Sequence, residues 1–196
     1  SNILDAVDFK TCGGDTVTES LDLCAAAATF DPDLLYELGV ALAKDCIEHD
    51  VDMLLGPGIN IKRYANCGRN FEYMSEDPVV SGELSAAYIN GLQSLGVAAS
   101  LKHYALNNQE KDRLEVSVET DERTLREIYL KGFEIAVKES DPWAIMTSYN
   151  RINGVHTAES YPLLEGILRG EWKFEGAVMT DWGACWLSAV RMLLPW

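Results

Sequence analysis

The stretch that decides the fold is DPVVSGELSAAYINGLQSLGVAASL, residues 77–101. Asp77 and Pro78 are typical of a helix start, because an aspartate side chain caps free backbone N–H groups and proline is favoured in the first turn. Apolar residues then recur at helical spacing as far as Gly96, which predicts a helix that is ended by a glycine. The apolar run 97–101 follows at once and predicts a buried strand.

The same pair of elements is predicted three more times in the chain. These helix and strand pairs lie at 31–49 and 51–55, at 121–138 and 143–147, and at 160–170 and 176–180. Strands this apolar have no face for water, which is typical of a parallel sheet covered by helices. The predicted fold class is therefore α/β, and the alternation fits either a doubly wound sheet or a partial (β/α)8 TIM-barrel-like domain.

Composition and charge exclude several classes of protein. The 196 residues include 16 Lys and Arg against 31 Asp and Glu, a formal net charge of −15. Neither nucleic acid nor a membrane surface is expected as a partner, because both are bound by basic surfaces. No apolar run approaches the roughly 18 residues of a membrane span, and no signal peptide is visible, so a cytoplasmic location is expected.

Metal and cofactor sites are not expected either. The five cysteines and three histidines are scattered through the sequence, which favours neither a disulfide framework nor a metal centre. No GxGxxG or GxxxxGK[ST] motif is present to bind the phosphates of a nucleotide.

Polar side chains directly follow each predicted strand. In chain order they are Asn60, Lys62, Arg63 and Arg69, then Lys102 and His103, then Ser148, Tyr149 and Asn150, and finally Asp181 and Trp182. The carboxyl ends of parallel strands lie on one side of a sheet, so we expect these residues to share one rim. This rim is the predicted active site.

Asp181 and the pair Lys102 and His103 are the rim residues with the most specific chemistry. Asp181 is placed to act as a nucleophile or electrostatic stabiliser, although it could instead cap a helix that begins near Ala184. Lys102 and His103 are expected to bind substrate hydroxyls. Alternatively, Lys102 forms a Schiff base, or the pair only satisfies neighbouring carbonyl and acidic groups.

Other rim residues allow both a structural and a functional interpretation. Arg69 could bind a substrate, or it could form an ion pair with Glu72 or Glu76. The two roles do not exclude each other. Tyr149 and Trp143 are predicted to be core aromatics, although the Tyr149 hydroxyl could reach the rim.

Six segments of the chain resemble glycoside hydrolase family 3, and within it the β-glucosidase branch. They are LLGPGINIKR (54–63), CGRNFEYMSEDP (67–78), GVAASLKHYALNNQEKDR (96–113), ETDERTLREIYLKGFE (119–134), WAIMTSYNRING (143–154) and AVMTDWGA (177–184). The six segments follow the order and spacing of the family, and together they are more specific than any single motif.

The resemblance implies a retaining β-glycosidase whose nucleophile is Asp181 and which needs no metal or cofactor. It implies sugar-binding roles for Arg69, Lys102, His103, Arg113, Met146 and Tyr149, with Trp182 stacking near the sugar. An uncharged polyol is bound by charge-assisted hydrogen bonds and an aromatic platform, which these residues would supply. The KHYALNN segment lacks the second histidine of the family's N-acetylglucosaminidases, so a β-glucoside or related neutral carbohydrate, such as a xyloside, is the expected substrate.

Two parts of the family pattern have no counterpart in the sequence. Nothing before LLGPG resembles the family segment DGPxGxR, so residues 1–23 are expected to be divergent. Retaining hydrolysis uses two carboxyl groups about 5–5.5 Å apart, and the second, an acid/base Glu that usually comes from another domain in this branch, is not found. Residues 1–196 are therefore expected to form a single incomplete barrel domain, and a sugar-binding or structural remnant without turnover is the alternative function.

The expected assembly follows from the number of strands. Four strand and helix units cannot close an eight-stranded barrel, so strand edges and apolar surface are expected to need covering. A homo-oligomer or a complementing chain is the predicted solution.

Overall fold

The computed structural model describes residues 22–184. Its helices are α1 (Leu23–Ala27), α2 (Pro32–Glu48), α3 (Pro78–Gln93), α4 (Glu122–Thr124) and α5 (Lys131–Ser140), with π-helical segments at Leu125–Tyr129 and Pro162–Glu171 and 3-10 turns at Asn70–Glu72 and Thr157–Glu159. Its strands are β1 (Met53–Leu54), β2 (Ala98–Tyr104), β3 (Ser117–Val118), β4 (Ala144–Thr147), β5 (Arg151–Ile152), β6 (Val155–His156) and β7 (Ala177–Met179). Most of the segment predicted to be divergent, and any helix after Ala184, lie outside these residues.

Two helix starts are confirmed by their caps. The Asp31 carboxylate accepts hydrogen bonds from two backbone N–H groups in the first turn of α2, and Asp77 does the same for α3. In each case proline follows in the first turn, where its missing N–H costs nothing.

The other two predicted helices are partly wrong. The segment 121–138 divides into α4, a π-helical turn and α5. The segment 160–170 begins with Ser160, a residue type that predicts a helix cap, but it is π-helical from Pro162 and has no side-chain cap. A π-helical turn changes the hydrogen-bonding interval of the backbone, and the spacing of apolar residues does not reveal it.

The main sheet has the strand order β1-β2-β4-β7, and all three of its pairings are parallel. The strands follow one another in chain order with no reversal, so right-handed crossovers place the connecting helices on one face. This is the arrangement of a (β/α)8 barrel and not of a doubly wound sheet, which confirms the predicted α/β class. Within residues 22–184 the sheet is open and does not close into a barrel.

The helices cover the sheet in a row in which α2 packs on α3 and α3 packs on α5. Tyr104, at the end of β2, lies edge-on to Phe133 and Trp172, with ring centroids 5.3 Å and 5.8 Å away. Trp143 is 48% exposed just before β4, so its predicted place in the core is wrong. The aromatic contacts of Tyr104 join the end of β2 to two covering helical segments.

The second strand is longer than the sequence predicts. β2 continues to Tyr104, so Lys102 and His103 belong to the strand and do not follow it. The pairing of β2 with β4 shifts register between Leu101 and Tyr104, and the Lys102–His103 and Tyr104–Ala105 peptide bonds are cis.

A small second sheet, with the order β3-β5-β6, was not predicted. β5 and β6 form a hairpin around Asn153 and Gly154, whose φ angles are +48° and +85°. β3 comes from the segment after β2 and pairs in parallel with β5, which follows β4. The small sheet therefore ties together the two segments that leave β2 and β4 at the rim. No helix among residues 22–184 has the length and apolar character needed to cross a membrane.

Candidate active site

His103 is the central side chain of the rim and is 1% exposed. Its Nε2 lies 3.0 Å from Nη2 of Arg69, and its Nδ1 lies 3.1 Å from the hydroxyl of Tyr73. Its backbone N–H donates to the Asn60 side chain, which in turn donates to the His103 carbonyl, at 3.0 Å and 2.9 Å. Residues of the segment that follows β1 thus form hydrogen bonds with both the ring and the backbone of His103.

The contact with Arg69 fixes the tautomer of His103. A guanidinium can only donate hydrogen bonds, so Nε2 accepts and Nδ1 carries the proton that it donates to Tyr73. Burial, followed by the charges of Lys102, Arg69 and Arg113, holds the pKa of His103 well below its usual value. The imidazole is therefore neutral.

Glu72 binds the two cations of the rim. Its Oε1 accepts from Nε of Arg69, and its Oε2 lies 3.1 Å from Nζ of Lys102. Burial alone would raise the pKa of Glu72, but the charge of Lys102 and the hydrogen bond from Arg69 outweigh it and lower that pKa. The predicted pairing of Arg69 with Glu72 is confirmed, whereas Glu76 is exposed.

Asp181 lies two residues beyond β7, at the carboxyl end of the sheet. Its Oδ2 is 3.7 Å from Nε2 of His103, and its side chain is 13% exposed. Its Oδ1 accepts from the N–H of Trp182, and its carbonyl accepts from the N–H of Ala184, which closes a turn. Gly183 takes a φ of +77° at the third position of this turn, where glycine is favoured. A role for Asp181 as the cap of a later helix falls outside the described residues.

Tyr149 connects Asp181 to a second group of rim residues. The Tyr149 hydroxyl donates to the Trp182 carbonyl at 2.7 Å, and the Arg113 guanidinium lies 4.9 Å above the Tyr149 ring. Burial and then the charge of Asp181 raise the pKa of Tyr149 to about 12, so it keeps its proton at neutral pH. Both interpretations of Tyr149 apply, because the ring is buried and the hydroxyl reaches the rim.

Seven of the eight predicted site residues are thus linked by direct contacts or by adjacency in the chain. Met146 is the exception. It lies in β4, is 2% exposed and stands opposite Met179 of β7 in the strand register. Its contact with a sugar remains a prediction. In the described part of the chain, no three His, Cys, Asp or Glu side chains come together as a metal site.

The sequence did not single out Tyr73 and Asn107, which help to hold this arrangement together. Tyr73 receives hydrogen bonds from both His103 and Asn107, and its ring lies so close to Gly58 that a Cβ there would stand 2.9 Å from it. The spacing of Glu72 three residues after Arg69 was the only signal of such a contact, because it places the two on one helical turn.

The neutral state of His103 predicts a pH dependence of stability. The folded pKa lies below the unfolded value, so protonation favours the unfolded state. The free energy of unfolding should therefore fall as the pH drops below about 6.5, by up to about 1.4 kcal/mol per pH unit. Urea unfolding between pH 7.5 and pH 5, above the range in which Glu72 titrates, measures this slope.

Two variants isolate the contribution of His103. His103→Gln should be less stable at pH 7.5 but should show a flatter slope, whereas His49→Gln, at the exposed end of α2, should keep the slope. An unchanged slope in His103→Gln would contradict the neutral assignment.

Known proteins resemble this chain in sequence and in fold. A profile of the "Glycosyl hydrolase family 3 N terminal domain" matches residues 13–192. The thermostable β-glucosidase B of Acetivibrio thermocellus and an exo-α-(1→6)-L-arabinopyranosidase of Bifidobacterium breve are each 52% identical over 158 residues, which are 81% of this chain and 21% of each relative. The structure of β-glucosidase 3B from Thermotoga neapolitana in complex with glucose superimposes with a TM-score of 0.79 at 51% identity, covering 83% of this chain and 22% of that one.

The chain therefore spans about a fifth of the length of the curated relatives that it matches. The match nevertheless covers nearly the whole of the chain, and it includes all the rim segments described above. On these grounds the chain belongs to glycosyl hydrolase family 3 and corresponds to the N-terminal domain of that family.

Proposed function

We propose that this chain supplies the nucleophile and the sugar-binding rim of a retaining β-glycosidase that acts on β-glucosides. The observation that carries the proposal is the environment of Asp181. Its carboxylate stands at the carboxyl end of the sheet beside a neutral imidazole, and within residues 22–184 it forms no ion pair with Lys or Arg. A carboxylate with this freedom can attack an anomeric carbon.

The surrounding side chains suit an uncharged polyol. Arg69, Lys102 and Arg113 offer charged donors, and Trp182, 40% exposed, offers an apolar face for a sugar ring.

The reaction would proceed in two steps. Asp181 attacks the anomeric carbon and forms a glycosyl-enzyme as the leaving oxygen takes a proton from an acid, and water then hydrolyses the intermediate. Glu72 is unsuited to be that acid, because Lys102 and Arg69 favour its charged form. Glu110 is held by Arg113 at 3.0 Å. We therefore assign the acid/base to a residue outside the described part of the chain.

Covalent trapping tests the role of Asp181. A 2-deoxy-2-fluoro-β-glucoside with a dinitrophenolate leaving group should form a stable glycosyl-enzyme, because the fluorine slows the second step and the good leaving group needs little acid assistance. Peptide mass spectrometry should locate the sugar on Asp181. Labelling at another carboxylate, or undiminished labelling of Asp181→Ala, would overturn the proposal.

A second candidate substrate is an α-L-arabinopyranoside. The arabinopyranosidase and the β-glucosidase named above are equally similar to this chain, so identity does not decide between these sugars. Labelling by the corresponding 2-fluoro arabinopyranoside, compared with the glucoside, distinguishes them. Glucose binding without labelling by either reagent would instead support a sugar-binding remnant.

A Schiff-base reaction at Lys102 is disfavoured by its ion pair. A lysine that attacks a carbonyl must be neutral, whereas the contact of Lys102 Nζ with Glu72 at 3.1 Å suits an ammonium.

A further inference from the structure

Two cations, Arg69 and Lys102, act on His103, the side chain beside the proposed nucleophile, and yet neither of them binds Asp181. Arg69 and Asp181 approach the same atom, Nε2 of His103, at 3.0 Å and 3.7 Å. Lys102 is the residue directly before His103 on β2. In the described part of the chain, the carboxylate partner of both cations is Glu72 and not Asp181.

The two ion pairs of Glu72 explain why these cations do not pair with Asp181. Each oxygen of its carboxylate receives one cation, Oε1 from Arg69 and Oε2 from Lys102. The three side chains are mostly buried, with exposed fractions of 16–19%. Charges with so little solvent around them interact strongly, so a cation released from one carboxylate would pair with the next one within reach.

We propose that Glu72 is a positioning residue that keeps Arg69 and Lys102 from pairing with Asp181. Glu72 thereby leaves the Asp181 carboxylate free to attack and leaves the remaining N–H groups of both cations free to bind sugar hydroxyls. The inference rests on the proposed function, because it assigns Glu72 a part in the action of Asp181. Glu72 itself is not expected to touch the reacting atoms.

A matched control lies elsewhere in the chain. Glu134, on α5, also holds one cation on each carboxylate oxygen, Lys138 at 2.6 Å and Lys131 at 3.2 Å. Glu134→Gln therefore removes the same charge from the same kind of double ion pair, but on a covering helix and away from the rim.

Crystal structures of Glu72→Gln and Glu134→Gln test the inference without requiring turnover. In Glu72→Gln, Arg69 or Lys102 should move to within ion-pair distance of Asp181, and in Glu134→Gln neither should move. The inference is wrong if both cations keep their places in Glu72→Gln. Should that variant fail to fold, Glu72→Asp carries the same test. Its shorter side chain is expected to reach only one of the two cations, and the released one should appear at Asp181.

The labelling reaction supplies a second readout. The rate at which the 2-fluoro glucoside labels Asp181 should fall roughly a hundredfold in Glu72→Gln. Glu134→Gln should be labelled at the wild-type rate.

The outcomes separate the two proposals. A Glu72→Gln variant that is less stable, but that keeps both cations away from Asp181 and is labelled at the wild-type rate, would show a purely structural role of Glu72 and would overturn the inference. A wild-type chain that is not labelled at all would overturn the proposed function, while the crystal structures would still decide where the cations go.

Discussion

Replacing Asp181 with glycine is expected to lower the hydrolysis of an aryl β-glucoside by on the order of 10⁴-fold or more, because the reaction loses the group that forms the covalent intermediate. The substrate of choice carries a dinitrophenolate leaving group, whose departure needs little help from an acid. The measurement is the initial rate, compared in an assembly in which the wild-type chain turns over.

Azide should restore part of the lost activity. Removal of the Asp181 side chain leaves space for a small anion between His103 and Trp182, and azide there would attack the sugar from the same face as the missing carboxylate. The expected product is therefore the α-glucosyl azide, identified by NMR. Asp121→Gly, which removes an exposed helix cap, should keep the wild-type rate and form no azide product. A β-glucosyl azide, or an unchanged rate in Asp181→Gly, would contradict the role of Asp181.

The general position of the site could be predicted because it depends on strand polarity alone. The sequence places Lys102, His103 and Asp181 at or just beyond the ends of apolar strands, and Arg69 in the longer segment that follows β1. In a parallel sheet those strand ends share one side. An error of a few residues in a strand boundary, such as the one at the end of β2, does not change which end of the strand a residue occupies.

The contacts within the site could not be predicted in the same way. The hydrogen bond between Tyr73 and His103, and those between Asn60 and His103, join segments more than 25 residues apart in the sequence. They depend on side-chain direction and on the shift of register within β2, and neither follows from residue type or spacing. The local contact between Arg69 and Glu72 could be predicted, because the two residues are one helical turn apart in the sequence.

The small sheet was missed although a signal for it was present. Asn153 and Gly154 lie between short segments containing Ile152 and Val155, and an Asn-Gly pair between apolar residues is a strong hairpin signal. The flanking strands have only two residues each, too few for their alternation to stand out. The sheet nevertheless matters to the site, since it holds the segment that follows Arg113 beside the one that follows Tyr149.

The spacing of apolar residues also gave a partly wrong prediction of which residues of α2 are buried. The helical spacing of apolar residues in 31–49 predicts that Leu34 lies on the buried face of α2, but Leu34 is 43% exposed, whereas Gly39 is buried. The reason lies in the contact with α3, where glycine and not a large side chain allows the two backbones to approach. A Cβ on Gly39 would overlap the Tyr88 carbonyl oxygen, and one on Gly91 would overlap the Tyr36 carbonyl oxygen. A pattern that counts apolar side chains cannot detect a helix contact that depends on glycine, which has no side chain.

Gly91→Ala is accordingly expected to lower the free energy of unfolding by about 3 kcal/mol. Alanine is the better helix former by roughly 1 kcal/mol, so the substitution should stabilise an isolated helix. That gain is outweighed because the atoms in the way belong to the backbone of α2 and cannot rotate aside, so the two helices must separate. Urea unfolding at neutral pH measures the change.

The matched control is Gly166→Ala, in the helical segment Pro162–Glu171, where a Cβ would meet no atom within 4 Å. Helix propensity then acts alone, so this variant should be as stable as the wild type or slightly more stable. The double variant Gly39→Ala/Gly91→Ala should lose less stability than the sum of the two single losses, because one separation of α2 from α3 relieves both overlaps. Wild-type stability in Gly91→Ala would show that the helices can part at no cost, and strictly additive losses would show that the two glycines do not share one contact.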